Sequence, residues 1–241
     1  MADRFLAHEI QWTREKSARF WDYLSSAPGY RENNFSKLAG EALLKLLQRR
    51  GISLAGPALD FGCGPGFLMD FLLKRGISCQ GAEFSAVAAG IANERLENHP
   101  LFKGVAVLET LPLPFADESF GAVFLIETIE HLPPEELNPA LSDIYRVLKK
   151  GGHLIITTPN EENLERGKIL CPECGAIFHR GQHLSAWGAD SLAALLAGLH
   201  FRKAICEAAN FHPPSRLNAL RGLVERILKR KRINLVYVGQ K

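Results

Sequence analysis

Three groups of residues have the types and spacing to carry chemistry. The first is Asp60-Phe61-Gly62-Cys63-Gly64-Pro65-Gly66, with Glu83 downstream. Glycine adopts positive φ readily and lets a ligand approach the backbone. A helix that starts after such a turn offers unpaired N–H groups to an anion. Glu83 closes an apolar run, where a carboxylate can accept both hydroxyls of a ribose. The third glycine follows the second by two residues, which departs from the dinucleotide fingerprint.

The second group is Glu127-Thr128-Ile129-Glu130-His131. Two carboxylates and an imidazole at that spacing can converge on one divalent cation, or they can line a cofactor pocket without metal. The third group is Cys171-Pro172-Glu173-Cys174-Gly175 with His179 and His183. Its C-x2-C-x4-H-x3-H spacing fits a compact zinc knuckle, a clip that would order a long polar loop. Two free thiols and two surface histidines are the plainer reading. A redox pair fits less well, because such pairs usually open a helix after a strand. His183 cannot serve both the knuckle and the Glu127 group, and the spacing leaves its owner open.

Alternating elements must hold these groups. Apolar runs at 57–61, 77–83, 103–108, 121–126, 153–158, 201–207 and 233–239 predict seven strands. Helical spacing is clear at 67–74, 86–97, 189–199 and through Leu137, Leu141, Ile144 and Leu148. Such alternation predicts an α/β fold, a mostly parallel doubly wound sheet covered on both faces. Residues 1–35 read as a helical extension that covers the substrate, and 36–241 as one domain with an insertion at 159–187. Asp60 and Glu83 then end adjacent strands, where ligands sit in open α/β sheets.

At this point a resemblance is plain. The segment 58–76 resembles motif I of class I S-adenosylmethionine-dependent methyltransferases, and Glu83-Phe84-Ser85 resembles their acidic post-I motif. Leu111-Pro112 with Asp117-Glu118-Ser119-Phe120, and the run from Arg146 to Gly152, resemble the segments before their fourth and fifth strands. The resemblance implies S-adenosylmethionine as cofactor, held by Asp60, Gly62, Cys63, Gly64, Gly66 and Glu83. Where the family often has an Asp after the third strand, this chain has Val107 or Leu108. Adenine recognition then falls to backbone near Leu108 and Glu109, with Phe84 packing on the ring. The strand-four motif resembles that of ubiquinone-pathway O-methyltransferases and of small-RNA 3′-terminal 2′-O-methyltransferases, in which a later His completes a metal site. By that likeness Glu127, Glu130 and His131 are catalytic, and His183 is the later ligand.

The implied reaction is O-methylation of a small hydroxylated molecule: a quinone-like phenol, a lipid-linked compound or a sugar. A histidine base of pKa about 6.5 falls ~3.5 units, or ~5 kcal/mol, short of a phenol at about 10. For an aliphatic hydroxyl near 15.7 the gap is roughly 9 units, so a sugar needs a metal more than a phenol does. An RNA-terminal ribose is the second acceptor, without a strongly basic domain or aromatic RNA-binding motif to support it. The glycine spacing disfavours a nicotinamide oxidoreductase, and a non-catalytic zinc and membrane adaptor on an old fold is the reading of another class.

Bulk properties agree with an ordinary globular chain: 241 residues, 46% hydrophobic, 23% charged and net charge +3. The N-terminus lacks the apolar run of a signal peptide, no stretch nears the ~18 apolar residues of a membrane span, and the five cysteines are scattered. A cytoplasmic protein without disulfides is expected. Residues 216–232 read as a basic amphipathic helix, suited to an anionic membrane surface or a phosphate-rich polymer, or packed on the sheet with a solvated rim.

Overall fold

The computed structural model describes residues 6–211 and 233–241, so the basic stretch 216–232 lies outside the described residues. The chain opens with a short strand β1 (His8–Glu9) and three helices: α1 (Arg14–Ser26), α2 (Pro28–Glu32) and α3 (Phe35–Arg49). The alternation then begins with β2 (Ala58–Phe61), α4 (Phe67–Leu73), β3 (Cys79–Glu83), α5 (Ala86–Leu96) and β4 (Phe102–Val107). After β5 (Phe120–Ile126) a 3-10 turn (Ile129–His131) leads to α6 (Pro134–Val147) and the long β6 (Leu148–Pro159). A second 3-10 turn (Leu164–Gly167), β7 (Lys168–Leu170), β8 (Ala176–His179), α7 (Ala189–Gly198), β9 (Arg202–Ala209) and β10 (Asn234–Gln240) complete it.

The main sheet has seven strands in the order β4-β3-β2-β5-β6-β10-β9, parallel except for β10, which runs antiparallel to β6 and β9. From β2 the chain moves outward on one side, and from β5 on the other. A crevice therefore opens beyond the carboxyl ends of β2 and β5.

Period-2 alternation feeds two cores. Val123 and Leu125 of β5, Leu154 and Ile156 of β6, and Leu235 and Tyr237 of β10 pack on the face with α6 and α7. Their neighbours Phe124, Ile126, Ile155, Val236 and Val238 pack on the face with α3 and α4. Strands buried on both faces explain the near-continuous apolar runs. Among the described residues no helix is long and apolar enough to cross a membrane.

Residues 13–35 read as a short helix and a loop, but they form two helices and the start of a third. Thr13 caps α1 and Asn34 caps α3, each side chain accepting an N–H from the first turn. The 159–187 segment is also not a loop. β1 pairs in parallel with β8, and β8 with β7 antiparallel, so the N-terminus and the insertion share a small three-stranded sheet. The insertion closes at its neck, where Glu161 N–H donates to Trp187 O at 2.8 Å.

Candidate active site

The turn after β2 is built on the end of β3. Gly62 N–H donates to Ala82 O at 2.8 Å, and Gly64 N–H to Glu83 Oε2 at 2.7 Å. Ser85 N–H takes the other carboxylate oxygen at 2.9 Å. Burial pushes the Glu83 carboxyl up, and these backbone N–H groups pull it back. The three glycines have distinct duties at φ of 74°, 50° and 78°. A Cβ on Gly62 would meet Thr128 at 2.6 Å, and one on Gly66 would meet Ala92 and Leu96 at 3.0 Å. A Cβ on Gly64 meets nothing within 4 Å, because it would point into open space.

That space is a cavity of about 720 Å³, within the range of small-molecule sites. Gly62, Cys63, Gly64, Glu83 and Phe84 line one wall, with Leu108 and Glu109 beside them. Asp60 and Gly66 do not line it: they support the turn from beneath. Leu108 N–H donates to Glu83 O at 2.8 Å, so strand pairing already uses it.

Asp60 is 2% exposed, and burial, with Glu83 next, raises its pKa from 3.8 to about 8. The folded chain thus keeps a proton that the unfolded chain releases above pH 4. Stability from this group is greatest in acid and declines as pH rises from about 4 to about 8. Asp60→Asn should flatten that slope and exceed wild type above pH 8 by ~1–3 kcal/mol, the scale of one buried polar group. Urea melts across the range check it, and an unchanged slope would place the pH dependence elsewhere.

Helix α1 roofs the cavity. Its Asp22 accepts from Ser85 Oγ at 2.5 Å, while Ser85 Oγ accepts from Ala88 N–H to cap α5. Arg14 pairs with Glu136 at 2.8 Å and lies over the Phe84 ring. Trp21 packs edge-on against His131 and donates its indole N–H to Gln182 Oε1. Gln182 in turn donates to Ser17 Oγ at 2.7 Å.

The opposite wall is acidic and imidazole-rich. Glu127 follows β5 at φ 50°, a conformation that a non-glycine residue adopts at a cost and that clusters at functional sites. Glu130 is 1% exposed; its Oε2 accepts from Thr158 Oγ1 at 2.9 Å, and its backbone carbonyl accepts from Leu184 and Ser185. Glu127 Oε1 and Glu130 Oε1 are buried without a partner. Burial raises Glu127 to about 7, against the pull of the Thr157 hydroxyl. Burial and the neighbouring Glu127 push Glu130 well above the carboxylate range. Burial, then His183, press His131 down to about 3, so its ring is neutral.

Ligating atoms of Glu130, His131 and His183 lie within 4.8 Å of one another. Orphaned carboxylate oxygens beside imidazole nitrogens are the donor set a divalent cation takes. The residues present therefore fit a cation.

The four-residue zinc knuckle is not formed. Cys171 and Cys174 sit at the tip of the β7–β8 hairpin, where Cys171 N–H donates to Ala176 O and Gly175 N–H to Cys171 O. β8 then carries His179 three residues, about 10 Å, along the strand, until it pairs with Lys168 at the far end. His179 and His183 stack at 4.4 Å and face Glu162 instead of the cysteines. The extended strand separates the two halves of the motif.

Sequence reasoning missed Glu162, Thr158, Gln182 and Trp21. Thr158 ends a predicted strand, the position that signalled Glu83, and could have been found that way; Glu162 lies four residues beyond that end. Trp21 and Gln182 carry no such local signal.

Residues 59–156 match the family described as a methyltransferase domain. The matched segment lies within the seven-stranded sheet, and the strand order with its crevice at the strand ends is the fold shared with solved S-adenosylmethionine-dependent methyltransferases. The chain is 31% identical over 122 residues to methyltransferase GfsG of Streptomyces halstedii, covering 49% of this chain and 43% of that protein. It is 29% identical to the ubiquinone biosynthesis O-methyltransferase of Alkalilimnicola ehrlichii, covering 64% of this chain and 60% of that one. A SAM-dependent methyltransferase structure from Methanosarcina mazei superposes with a TM-score of 0.60 at 20% identity, covering 81% and 96% of the two chains. The chain spans about half the length of the curated relatives it matches.

Proposed function

We propose that this protein transfers a methyl group from S-adenosylmethionine to a hydroxyl oxygen of a small acceptor. Its substrate is a phenol or quinol, a lipid-linked compound or a sugar. One observation carries the reading: a single roofed cavity has Glu83 and the glycine turn on one wall and the Glu127–Glu130–His131 cluster on the other. The quinone and tocopherol O-methyltransferases among its relatives support oxygen as the acceptor atom.

S-adenosylmethionine supplies an activated methyl on a sulfonium when bound. Glu83 takes the ribose diol, Phe84 and Leu108 flank the base, and the Gly64 backbone leaves room for the chain beside them. A divalent cation held by Glu130, His131 and His183 would lower the acceptor hydroxyl's pKa. Glu127, with its carboxyl at about 7, accepts the departing proton near neutral pH. Trp21 and Gln182 close the roof and hold the acceptor in line, which supplies much of the rate by proximity.

Methyl release from labelled cofactor onto a panel of catechols, quinols and sugar hydroxyls tests this. Turnover on one class is expected. Cofactor binding with no transfer to any acceptor would instead favour a non-catalytic adaptor. Glu83→Gln should weaken S-adenosylmethionine and its demethylated product by ~1–3 kcal/mol, the range for a charge-assisted hydrogen bond. Equal calorimetric affinity for mutant and wild type would remove Glu83 from the ribose.

A ribose 2′-hydroxyl at an RNA end is the second reading, favoured by the meeting of His183 with Glu130 and His131. The α1 roof over the cavity weighs toward a small acceptor. A methyl-transfer assay on short RNAs beside the small-molecule panel separates the two.

A further inference from the structure

We infer that Glu162 and His179 are positioning residues that hold His183 as its Nδ1–H tautomer, which assigns the Nε2 lone pair of His183 to the Glu130–His131 cluster. This deepens the proposed reading, since the oriented ring belongs to the acceptor side of the cavity.

The assignment follows from which ring nitrogens accept. His179 Nδ1 accepts two backbone N–H groups, from Gly181 and from His183, both at 3.2 Å. A nitrogen that accepts carries no hydrogen, so the neutral ring has its proton on Nε2. That nitrogen is buried without a hydrogen-bond partner and faces Glu162 Oε1 at 3.5 Å. It can ligate a metal only if the ring loses both protons. The ring is seated against Gly167, where a Cβ would lie 1.8 Å from Nε2, so glycine is what leaves His179 its place.

Glu162 uses its other oxygen, Oε2, on His183 Nδ1. The carboxylate thus accepts from His183 Nδ1 with one oxygen and faces His179 Nε2 with the other, and His183 is left with its lone pair on Nε2. His131 is held in the same form from a different direction. Its Nδ1 donates to Gln182 O at 3.2 Å, and its Nε2 stands 4.0 Å from Glu130 Oε1. The two rings are 4.9 Å apart.

Two groups in this region have ligating atoms within 4.8 Å of one another: Glu130, His131 and His183, and Glu162, His179 and His183. The hydrogen-bond directions distinguish them. The first presents lone pairs and an orphaned carboxylate oxygen. The second is a hydrogen-bonded support of the kind that fixes a ligand's tautomer.

Two-bond 15N–1H correlation spectra of the metal-free full chain, labelled at histidine, read these tautomers directly. Asn replacements at 131, 179 and 183 give the peak assignments. His131 and His183 should appear as Nδ1–H and His179 as Nε2–H. His179 as Nδ1–H, or His183 as Nε2–H, overturns the inference. Mn2+ titration followed by electron paramagnetic resonance adds a second measure. Glu162→Ala should weaken Mn2+ by about 10–100-fold, and Glu162→Gln, whose amide oxygen still accepts from Nδ1, should recover part of it. Calorimetric affinity for the demethylated cofactor should not move. Unchanged Mn2+ affinity in Glu162→Ala overturns the role of Glu162. A Cys171→Ser/Cys174→Ser chain should keep wild-type tautomers and Mn2+ affinity, and a change there would return His183 to the cysteines. If wild type binds no Mn2+, the cation reading of the active site fails, and the tautomers alone decide this inference.

Discussion

Gly64→Val should abolish binding of S-adenosylmethionine and its demethylated product while the chain stays folded. Gly64 stands at φ 50° with nothing within 4 Å of an added Cβ, so a branched side chain would project into the cavity, not into protein. Its N–H donates to Glu83 Oε2 at 2.7 Å. The substitution therefore fills the approach to the backbone and disturbs the carboxylate proposed to take the ribose. A fall in affinity of at least ~100-fold, about 2.7 kcal/mol, is expected. The backbone cost of valine in the left-handed region is roughly 1–2 kcal/mol, well below a typical domain stability of about 5–15 kcal/mol. Calorimetry for binding and near-ultraviolet circular dichroism for the fold separate the two effects. Gly66→Ala is the contrast: its Cβ would press on Ala92 and Leu96 at 3.0 Å, so it should lower stability more than affinity. Normal cofactor binding by the valine variant would refute the glycine-turn assignment.

His131→Ala and Glu130→Gln should each reduce turnover by about 10²–10⁴-fold, the several kcal/mol that a positioned Lewis acid contributes, with cofactor affinity nearly unchanged. Both residues lie on the wall across from Glu83, so the sulfonium's own pocket is left intact. If a cation acts there, chelator should stop the wild-type enzyme, and added Mg2+, Mn2+ or Zn2+ should restore it. Metal should not rescue His131→Ala, which has lost a ligand. Chelator-insensitive turnover on a confirmed acceptor would leave the cluster with proton handling by Glu127 alone. Loss of cofactor affinity in the mutants would make the group pocket lining. Removing His131 also removes the ring that Trp21 packs on, so the roof should be checked through indole fluorescence in the same samples.

The amino-acid sequence by itself determined the parts of this protein whose signals are local. The apolar runs that became β5, β6 and β10 are legible because strands buried on both faces need an apolar residue at nearly every position. The glycine turn and Glu83 are legible because each sits at the end of such a run, where an α/β sheet must place its ligands. The Glu127–His131 motif is legible for the same reason, being five consecutive residues at a strand end. Only the tertiary structure decided what those residues meet. It put Asp60 and Gly66 beneath the turn, and it used the Leu108 N–H in strand pairing. It folded residues 13–35 into the roof because Asp22 and Trp21 find partners on α5 and on the insertion. It also separated Cys171 and Cys174 from the histidines that follow them. Spacing along a chain reports a common site only when the intervening residues turn back. Here they extend as β8, and the same strand that carries His179 away from the cysteines delivers it to Glu162 and His183.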